Sequence, residues 1–348
     1  MKAAFLTGVR RVEIRDVPEP RLAGPNDVLL GIDTVGVCGS DMHYYRTGRI
    51  GQQIVKFPWI VGHECAATVI EVSSAVRDLR PGDRVAVDPL IPCGQCDQCQ
   101  RGRRHTCRNQ VFLGVPDQLP GSLAEQLVMP AACCYPIPDS MTMEQATLIE
   151  PFAIGLYTQR RAGTPNGEKI AILGCGPIGL CVLLAIKAAG PCRVWATDLL
   201  DNRLQLAAEL GAEWTGNASR DDMAAAVGKL CPEGMDWVFE CAGEQETLDE
   251  AVELLRPGGT LLIVGIPQHD RISFDMNHLR RKELTLLNIR RQNECVRPAI
   301  ELVACGKVNV ERLVTHHFTL SQTQKAFDIV ADYKDGAVKA MIHVSSRP

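Results

Sequence analysis

The stretch Lys169-Ile-Ala-Ile-Leu173-Gly174-Cys-Gly-Pro-Ile-Gly179 decides how this chain folds. It reads as a short apolar strand running straight into a glycine-rich turn. Leu180-Cys-Val-Leu-Leu-Ala-Ile-Lys-Ala-Ala189 reads as the buried helix that the turn opens, ending at Gly190. A lone GxGxxG is weak, but this one follows a strand, opens a helix, and has Asp198 nineteen residues past Gly179, at the end of the strand Arg193-Val-Trp-Ala-Thr-Asp198. Gly174 allows the tight turn, Gly176 lets backbone approach a pyrophosphate, and Gly179 allows close packing of helix on strand. With Pro177 and Ile178 at its start, the helix offers free N–H groups and the positive end of its dipole to phosphate. Asp198 would accept hydrogen bonds from an adenosine ribose and repel a 2′-phosphate, which favours NAD over NADP. Arg203, five residues on, leaves some NADP use open.

Outward toward the C-terminus the alternation continues. A helix is expected over 201–210, a strand at Trp237-Val-Phe-Glu-Cys, a helix near 245–256, and strands at Gly259-Thr-Leu-Leu-Ile-Val-Gly and Leu284-Thr-Leu-Leu. Alternating β and α segments predict a doubly wound parallel sheet. Helices near 294–305 and 321–332 and a last strand, Val338-Lys-Ala-Met-Ile-His-Val, follow. Toward the N-terminus the period is two. Short strands are expected at Lys2-Ala-Ala-Phe-Leu, Val12-Glu-Ile-Arg, Asp27 to Val35, Ala66 to Val72 and Asp83 to Val87, with Pro and Gly between, as in a small barrel or partly open β domain. A helix opens near 141–150 with Ser140 or Thr142 as its cap, and Glu150-Pro151 is expected to interrupt or kink it.

Two stretches carry metal-ligand chemistry. Cys93-Gly-Gln-Cys96-Asp-Gln-Cys99 with Cys107 has the spacing C-x2-C-x2-C-x7-C, and four thiolates can close a tetrahedral Zn²⁺ shell with no open position. An iron–sulfur cluster or a chance group of buried thiols are the competing readings. The lobe is polar and loop-rich, so it lacks a core of its own. Cys38-Gly-Ser-Asp-Met-His43 with Gly62-His-Glu64 supplies a thiolate, a hydroxyl, two imidazoles and a carboxylate. Cys38 and His63, with a carboxylate nearby, are the ligand types of a catalytic Zn²⁺. Ser40 and His43 are placed to pass a proton toward water.

The 348 residues suffice for two domains, and 46% hydrophobic with 22% charged is ordinary for a globular enzyme. A formal net charge of −4 gives no electrostatic reason to expect nucleic acid or an anionic membrane as partner. The N-terminal stretch turns charged too soon for a signal peptide, and no apolar run reaches the roughly 20 residues that span a bilayer. Fifteen cysteines without an export signal argue for metal and free thiols in a reducing compartment, and hence for a cytoplasmic protein.

The two cysteine sets, Gly62-His-Glu64 and the C-terminal-half dinucleotide unit resemble the zinc-dependent medium-chain dehydrogenase/reductase superfamily. Cys38-Gly-Ser-Asp-Met-His-Tyr-Tyr45, Gly48-Arg-Ile-Gly51, Pro58-Trp-Ile-Val-Gly-His-Glu64, Glu150-Pro151, Thr197-Asp198-Leu199 and Arg203-Leu204 are similar to its sorbitol (polyol) dehydrogenase branch. The likeness covers nearly the whole chain. It implies an α/β protein with a GroES-like β-rich catalytic domain (1–152 and 290–348, carrying the zinc lobe 93–107) and an inserted Rossmann NAD-binding domain (153–289). It also implies two Zn²⁺ per chain, NAD, and a homotetramer or homodimer. Cys38, His63, Glu64 and Glu150 become the catalytic zinc set, with Glu64 and Glu150 each able to act as its carboxylate. Ser40, His43 and Glu150 become the proton-handling groups, and Tyr44 and Arg290 the substrate contacts. The chain departs at Ala67, where the family often has glycine. It departs again at Ile289-Arg290-Arg291-Gln292-Asn293, where sorbitol dehydrogenases tend to carry Phe-Arg-Tyr. Keeping all four lobe cysteines points to a bacterial-type member.

A secondary alcohol does not lose its proton unaided near neutrality. Zn²⁺ lowers the pKa of bound water from 15.7 to about 7, and an alcohol should respond similarly, freeing hydride for the nicotinamide C4. The expected substrate is a polyol of the sorbitol, xylitol or L-iditol type. Threonine, a 2,3-diol or a sugar-phosphate polyol are the alternatives, the anionic ones motivated by Arg290-Arg291. A non-catalytic dinucleotide-binding protein of the same fold would not need Cys38, His63 and Glu150 together. His316, His317 and His343 have no motif around them and read as structural.

Overall fold

The computed structural model describes residues 1–267 and 271–345. The strand Lys169–Leu173 lies inside a six-stranded sheet, because Ile170, Ala171, Ile172 and Leu173 are all at most 1% exposed and require cover on both faces. Across the sheet the order is Trp214–Asn217, Arg193–Asp198, Lys169–Leu173, Met235–Glu240, Leu255–Ile263 and Thr285–Asn288, with every pairing parallel. In chain order this is 3-2-1-4-5-6, the doubly wound arrangement, which brings the carboxyl ends of Lys169–Leu173 and Arg193–Asp198 to one edge. Pro177–Ala189 is the helix opened by the glycine turn.

A second sheet draws on both ends of the chain. Its path runs Cys134–Pro136, Arg84–Val87, Glu64–Val72, Asp27–Gly36, Lys339–His343 and Val314–Thr319, with Gln126–Pro130 also paired to Asp27–Gly36. The central strand Asp27–Gly36 buries Val28, Leu30, Ile32, Thr34 and Val35, the period-two pattern of a sheet packed on a core. Lys339–His343 brings the C-terminal segment beside it. The chain divides into two compact units, one of Met1–Glu150 with the segment from Val296 onward, the other Pro151–Cys295.

Several local elements differ from expectation. Gly39–Thr47, for which no element was expected, is a helix with Cys38 at its N-cap. Thr142 caps a short helix, Met143–Thr147, through a capping box with Gln145, and a second helix begins at Ile149. Pro151 therefore sits in a first turn, where a missing N–H costs nothing, so Glu150-Pro151 opens a helix instead of breaking one. The strand Trp214–Asn217 and the helices Met223–Leu230 and Met276–Arg281 were not expected from the sequence. The strand is short and edge-placed, and its glycine and asparagine weaken the β signal. Among the described residues no helix is long and apolar enough to cross a membrane.

Candidate active site and metal centres

The dinucleotide turn is built as its residues require. Gly174 has φ +95°, and a Cβ on Gly179 would lie 1.9 Å from the Gly174 carbonyl oxygen, so neither position tolerates a side chain. A Cβ on Gly176 would meet only the Arg203 guanidinium, at 3.7 Å, which leaves that face of the loop open. The Cys175 N–H donates to Asp198 Oδ2 at 2.7 Å, and the Leu200 N–H donates to Oδ1 at 3.0 Å. Asp198 thus braces the loop, a role beyond the ribose contact expected of it. Arg203 Nη1 stands 3.7 Å from the same carboxylate. Arg290 follows the last parallel strand and is exposed, at the carboxyl end of Thr285–Asn288.

The four-cysteine lobe fits a tetrahedral cation. The sulfurs of Cys93, Cys96, Cys99 and Cys107 all lie within 4.8 Å of one another, with Cys96–Cys99 at 3.6 Å and Cys96–Cys107 at 3.8 Å. Four sulfurs at Zn–S distances of about 2.3 Å would be separated by roughly 3.8 Å. A disulfide needs about 2.0 Å, and all fifteen cysteines are free. Backbone N–H groups of Cys99 and Arg108 hold the Cys96 thiol down to about 6, while burial and the neighbouring sulfurs push Cys99 up. Such crowding of thiolates is what a divalent cation relieves. The short helix of the lobe, Asp97–Gln100, buries no residue, so the lobe has little apolar surface to hold it.

The second metal stretch converges around Cys38 and His63. Ser40 Oγ lies 3.3 Å from Cys38 Sγ and 3.5 Å from His63 Nε2, so the hydroxyl bridges the two expected ligands. Asp41, which sequence reasoning passed over, organises both. It is 1% exposed, its Oδ2 accepts the Cys38 N–H at 3.3 Å, and its Oδ1 accepts the Gly62 N–H at 3.3 Å and faces His63 Nδ1 at 3.5 Å. A carboxylate behind one ring nitrogen leaves the other for a metal, the usual arrangement around a ligating histidine. Its signal in the sequence is its place as third residue of the helix capped by Cys38. Burial opposes a charge on His63, but the Cys38 thiolate and Asp41 outweigh it and hold its pKa well above the ordinary value. This donor set suits a cation.

The carboxylates are placed differently from each other. Glu64 is 1% exposed, with both oxygens on Lys339 Nζ, at 2.6 and 2.8 Å. Lys339 was not anticipated, because it arrives from a strand at the far end of the chain. Glu150 is 8% exposed, and burial raises its carboxyl pKa to about 7, with His63 lowering it and Glu64 raising it. Cys38, His63, Glu64 and Glu150 are not gathered into a set of three ligand atoms within 4.8 Å among the described residues. His43 is half-buried, and desolvation together with Arg46 lowers its pKa. Tyr44 is 3% exposed, its hydroxyl donating to Gln53 Oε1 at 3.0 Å.

Comparison with known proteins agrees with both halves of this description. Residues 24–139 match the alcohol dehydrogenase GroES-like domain, and residues 177–305 match the zinc-binding dehydrogenase family. Sorbitol dehydrogenase of Bacillus subtilis is 36% identical over 99% of this chain and 97% of that protein. L-idonate 5-dehydrogenase of Vitis vinifera is 36% identical over 98% of this chain and 94% of its own length. An Escherichia coli oxidoreductase/dehydrogenase of unknown specificity superimposes with a TM-score of 0.92 and 32% identity, over 99% of both chains. Matched along almost its entire length, with its glycine turn, cysteine lobe and Cys38–His63 pair all in place, the chain belongs to the zinc-dependent medium-chain dehydrogenase/reductase superfamily, in the sorbitol dehydrogenase-like branch.

Proposed function

We propose that the protein is an NAD-dependent, zinc-containing polyol dehydrogenase, interconverting a polyol of the sorbitol, xylitol or L-iditol type with its ketose. The observation that carries this is the Ser40 hydroxyl set between Cys38 Sγ and His63 Nε2. When bound, zinc supplies the Lewis acidity that makes an alcohol proton labile, and NAD accepts the hydride. Cys38 and His63 would hold that zinc, with Asp41 fixing the ring of His63. Glu150 is the proposed carboxylate of the set, since Glu64 is already committed to Lys339. An oxygen ligand in place of a thiolate makes the cation a harder Lewis acid. Ser40 Oγ would accept the substrate hydroxyl proton and hand it toward His43, with the buried Glu150 carboxyl as a second proton holder. Tyr44 and Arg290 are the proposed substrate contacts. Cys93, Cys96, Cys99 and Cys107 would hold a second, structural zinc.

The branch membership also supports a cytoplasmic homotetramer or homodimer, which sedimentation would test. Purified protein is expected to carry a zinc in each of these two sites and to reduce NAD with a polyol, chelator-sensitively. Cys38→Ser should abolish turnover and remove the catalytic zinc alone. If neutral polyols and related secondary alcohols all fail to yield NADH from zinc-replete protein, the reading is wrong. A second reading, an anionic polyol, is compatible with the exposed Arg290 at the carboxyl end of the sheet and with similarity to an L-idonate dehydrogenase. A kinetic panel pairing neutral with anionic alcohols, each with NAD and NADP, separates the two.

A further inference from the structure

Glu144, His317 and His343 meet on the unit that carries the Cys38–His63 pair, yet none of them takes part in the chemistry above. Their convergence is a product of topology. Val314–Thr319 and Lys339–His343 pair in parallel, with His317 opposite Met341 and His343 opposite Thr319. His317 and His343 are therefore diagonal neighbours on one face of the pair, and Val314–Thr319 is the edge strand of its sheet. Glu144 comes from the short helix Met143–Thr147, which is pinned at both ends. Thr142 caps it, Gln145 Nε2 donates to Glu311 Oε2 at 3.3 Å, and Thr147 Oγ1 donates to the Thr34 carbonyl at 3.2 Å.

The three ligand atoms form a tight triangle. His317 Nδ1 lies 2.9 Å from Glu144 Oε1, His343 Nε2 lies 3.2 Å from the same oxygen, and the two nitrogens are 3.2 Å apart. The rings stack with centroids 5.5 Å apart and 15° between planes. Protons alone satisfy this arrangement poorly. If both nitrogens carry hydrogen toward Glu144, two N–H groups crowd each other at 3.2 Å; if one gives up its hydrogen, it loses its bond to the carboxylate. A cation would take one lone pair from each of the three. Ligands held at about 2.0–2.1 Å around a tetrahedral metal stand roughly 3.3 Å apart, close to the triangle seen. Thr34 Oγ1 lies 3.5 Å from His343 Nδ1, the nitrogen that keeps its proton once Nε2 binds a metal. The side chains of His317 and His343 are 54% and 39% exposed, so a hydrated cation has access and water can complete the shell.

We propose that Glu144, His317 and His343 form an additional metal site, open to solvent, for a divalent transition-metal cation of the zinc class. Two imidazoles and one carboxylate are the donors of that class. Occupied, the site would clamp the helix Met143–Thr147 to the edge of the sheet.

The test uses intact protein equilibrated with Zn²⁺ buffered at micromolar free concentration, followed by metal analysis and thermal unfolding. Native protein should bind one zinc per chain more than His317→Ala or His343→Ala. Its melting temperature should rise with Zn²⁺ where theirs does not. Both variants should keep the native circular dichroism and turnover, since neither residue belongs to the reaction. Glu144→Gln, which preserves the size of the side chain, should lose the same equivalent. Equal zinc content in native and folded variant proteins would overturn the proposal, whatever the activity on polyols proves to be.

Discussion

Lys339 Nζ lies 2.6 Å from Glu64 Oε2 and 2.8 Å from Oε1, and both side chains are 1% exposed. Lys339 also donates to the Val37 carbonyl at 3.1 Å, one residue before Cys38. Gly36 makes the room, since a Cβ there would lie 2.2 Å from Glu64 Oε2. The pair ties the last strand to the two strands that deliver the expected zinc ligands, and it is the ground on which Glu150 is the proposed carboxylate for the metal.

Removing one partner of a buried pair strands the other charge. Lys339→Met is expected to destabilise the protein by about 3–5 kcal/mol. The double variant Glu64→Gln with Lys339→Met should recover most of that loss, because it leaves no uncompensated charge. Chemical denaturation of the three proteins measures both effects. A double variant as unstable as the single one would show that the ion pair is not the cause.

Asp41 acts through its neighbours: it accepts the Cys38 and Gly62 N–H groups and orients His63. Asp41→Asn should lower affinity for the catalytic zinc by about 10–100-fold while leaving the cysteine-lobe zinc in place. Competition with a chelator, read as activity and as zinc content, resolves the two sites. Added zinc should restore much of the turnover; failure to do so would point to misfolding instead.

Cofactor choice should turn on Asp198. Asp198→Ala removes the carboxylate proposed to bind the cofactor ribose and two braces of the glycine turn, and it leaves Arg203 without that neighbour. Losing hydrogen bonds to a charged group at about 1.5–3 kcal/mol implies kcat/KM for NAD falling roughly tenfold or more. The ratio of NADP to NAD efficiency should rise. Steady-state kinetics with both cofactors checks this, and an unchanged ratio would count against the assigned role.

Glu250 should give a pH-dependent stability. Burial, then Glu253 and Asp222, raise its carboxyl pKa from 4.5 to about 7. A raised carboxyl binds its proton more tightly in the folded state. The penalty for ionising it is absent below about pH 4.5, grows as pH rises toward 7, and is complete above that. Glu250→Gln should therefore stabilise the protein at pH 8 by roughly 1–3 kcal/mol, after discount for partial solvation, and by almost nothing near pH 4.5. Thermal unfolding across that range gives the profile, and a gain independent of pH would contradict it.

Much of the molecule is legible in residues 169–198 and in the cysteine spacing. A strand, a glycine turn, a helix and an acidic residue at a set distance are local facts, and local periodicity is enough to imply the parallel sheet and its nucleotide edge. The lobe at 93–107 is local in the same way, since its four sulfurs fall within one short stretch of chain. The sequence by itself therefore determined the fold class, the dinucleotide turn and the two stretches of metal-ligand type. The tertiary structure decided what depends on long-range pairing. Lys339 reaches Glu64 across 275 positions. His317 and His343 find Glu144 only because two C-terminal strands pair beside a helix from the first half of the chain. Asp41 became an organising residue only once a helix began at Gly39. No pattern within a short window encodes these meetings, because they are fixed by sheet register and by the burial of charges that must find partners.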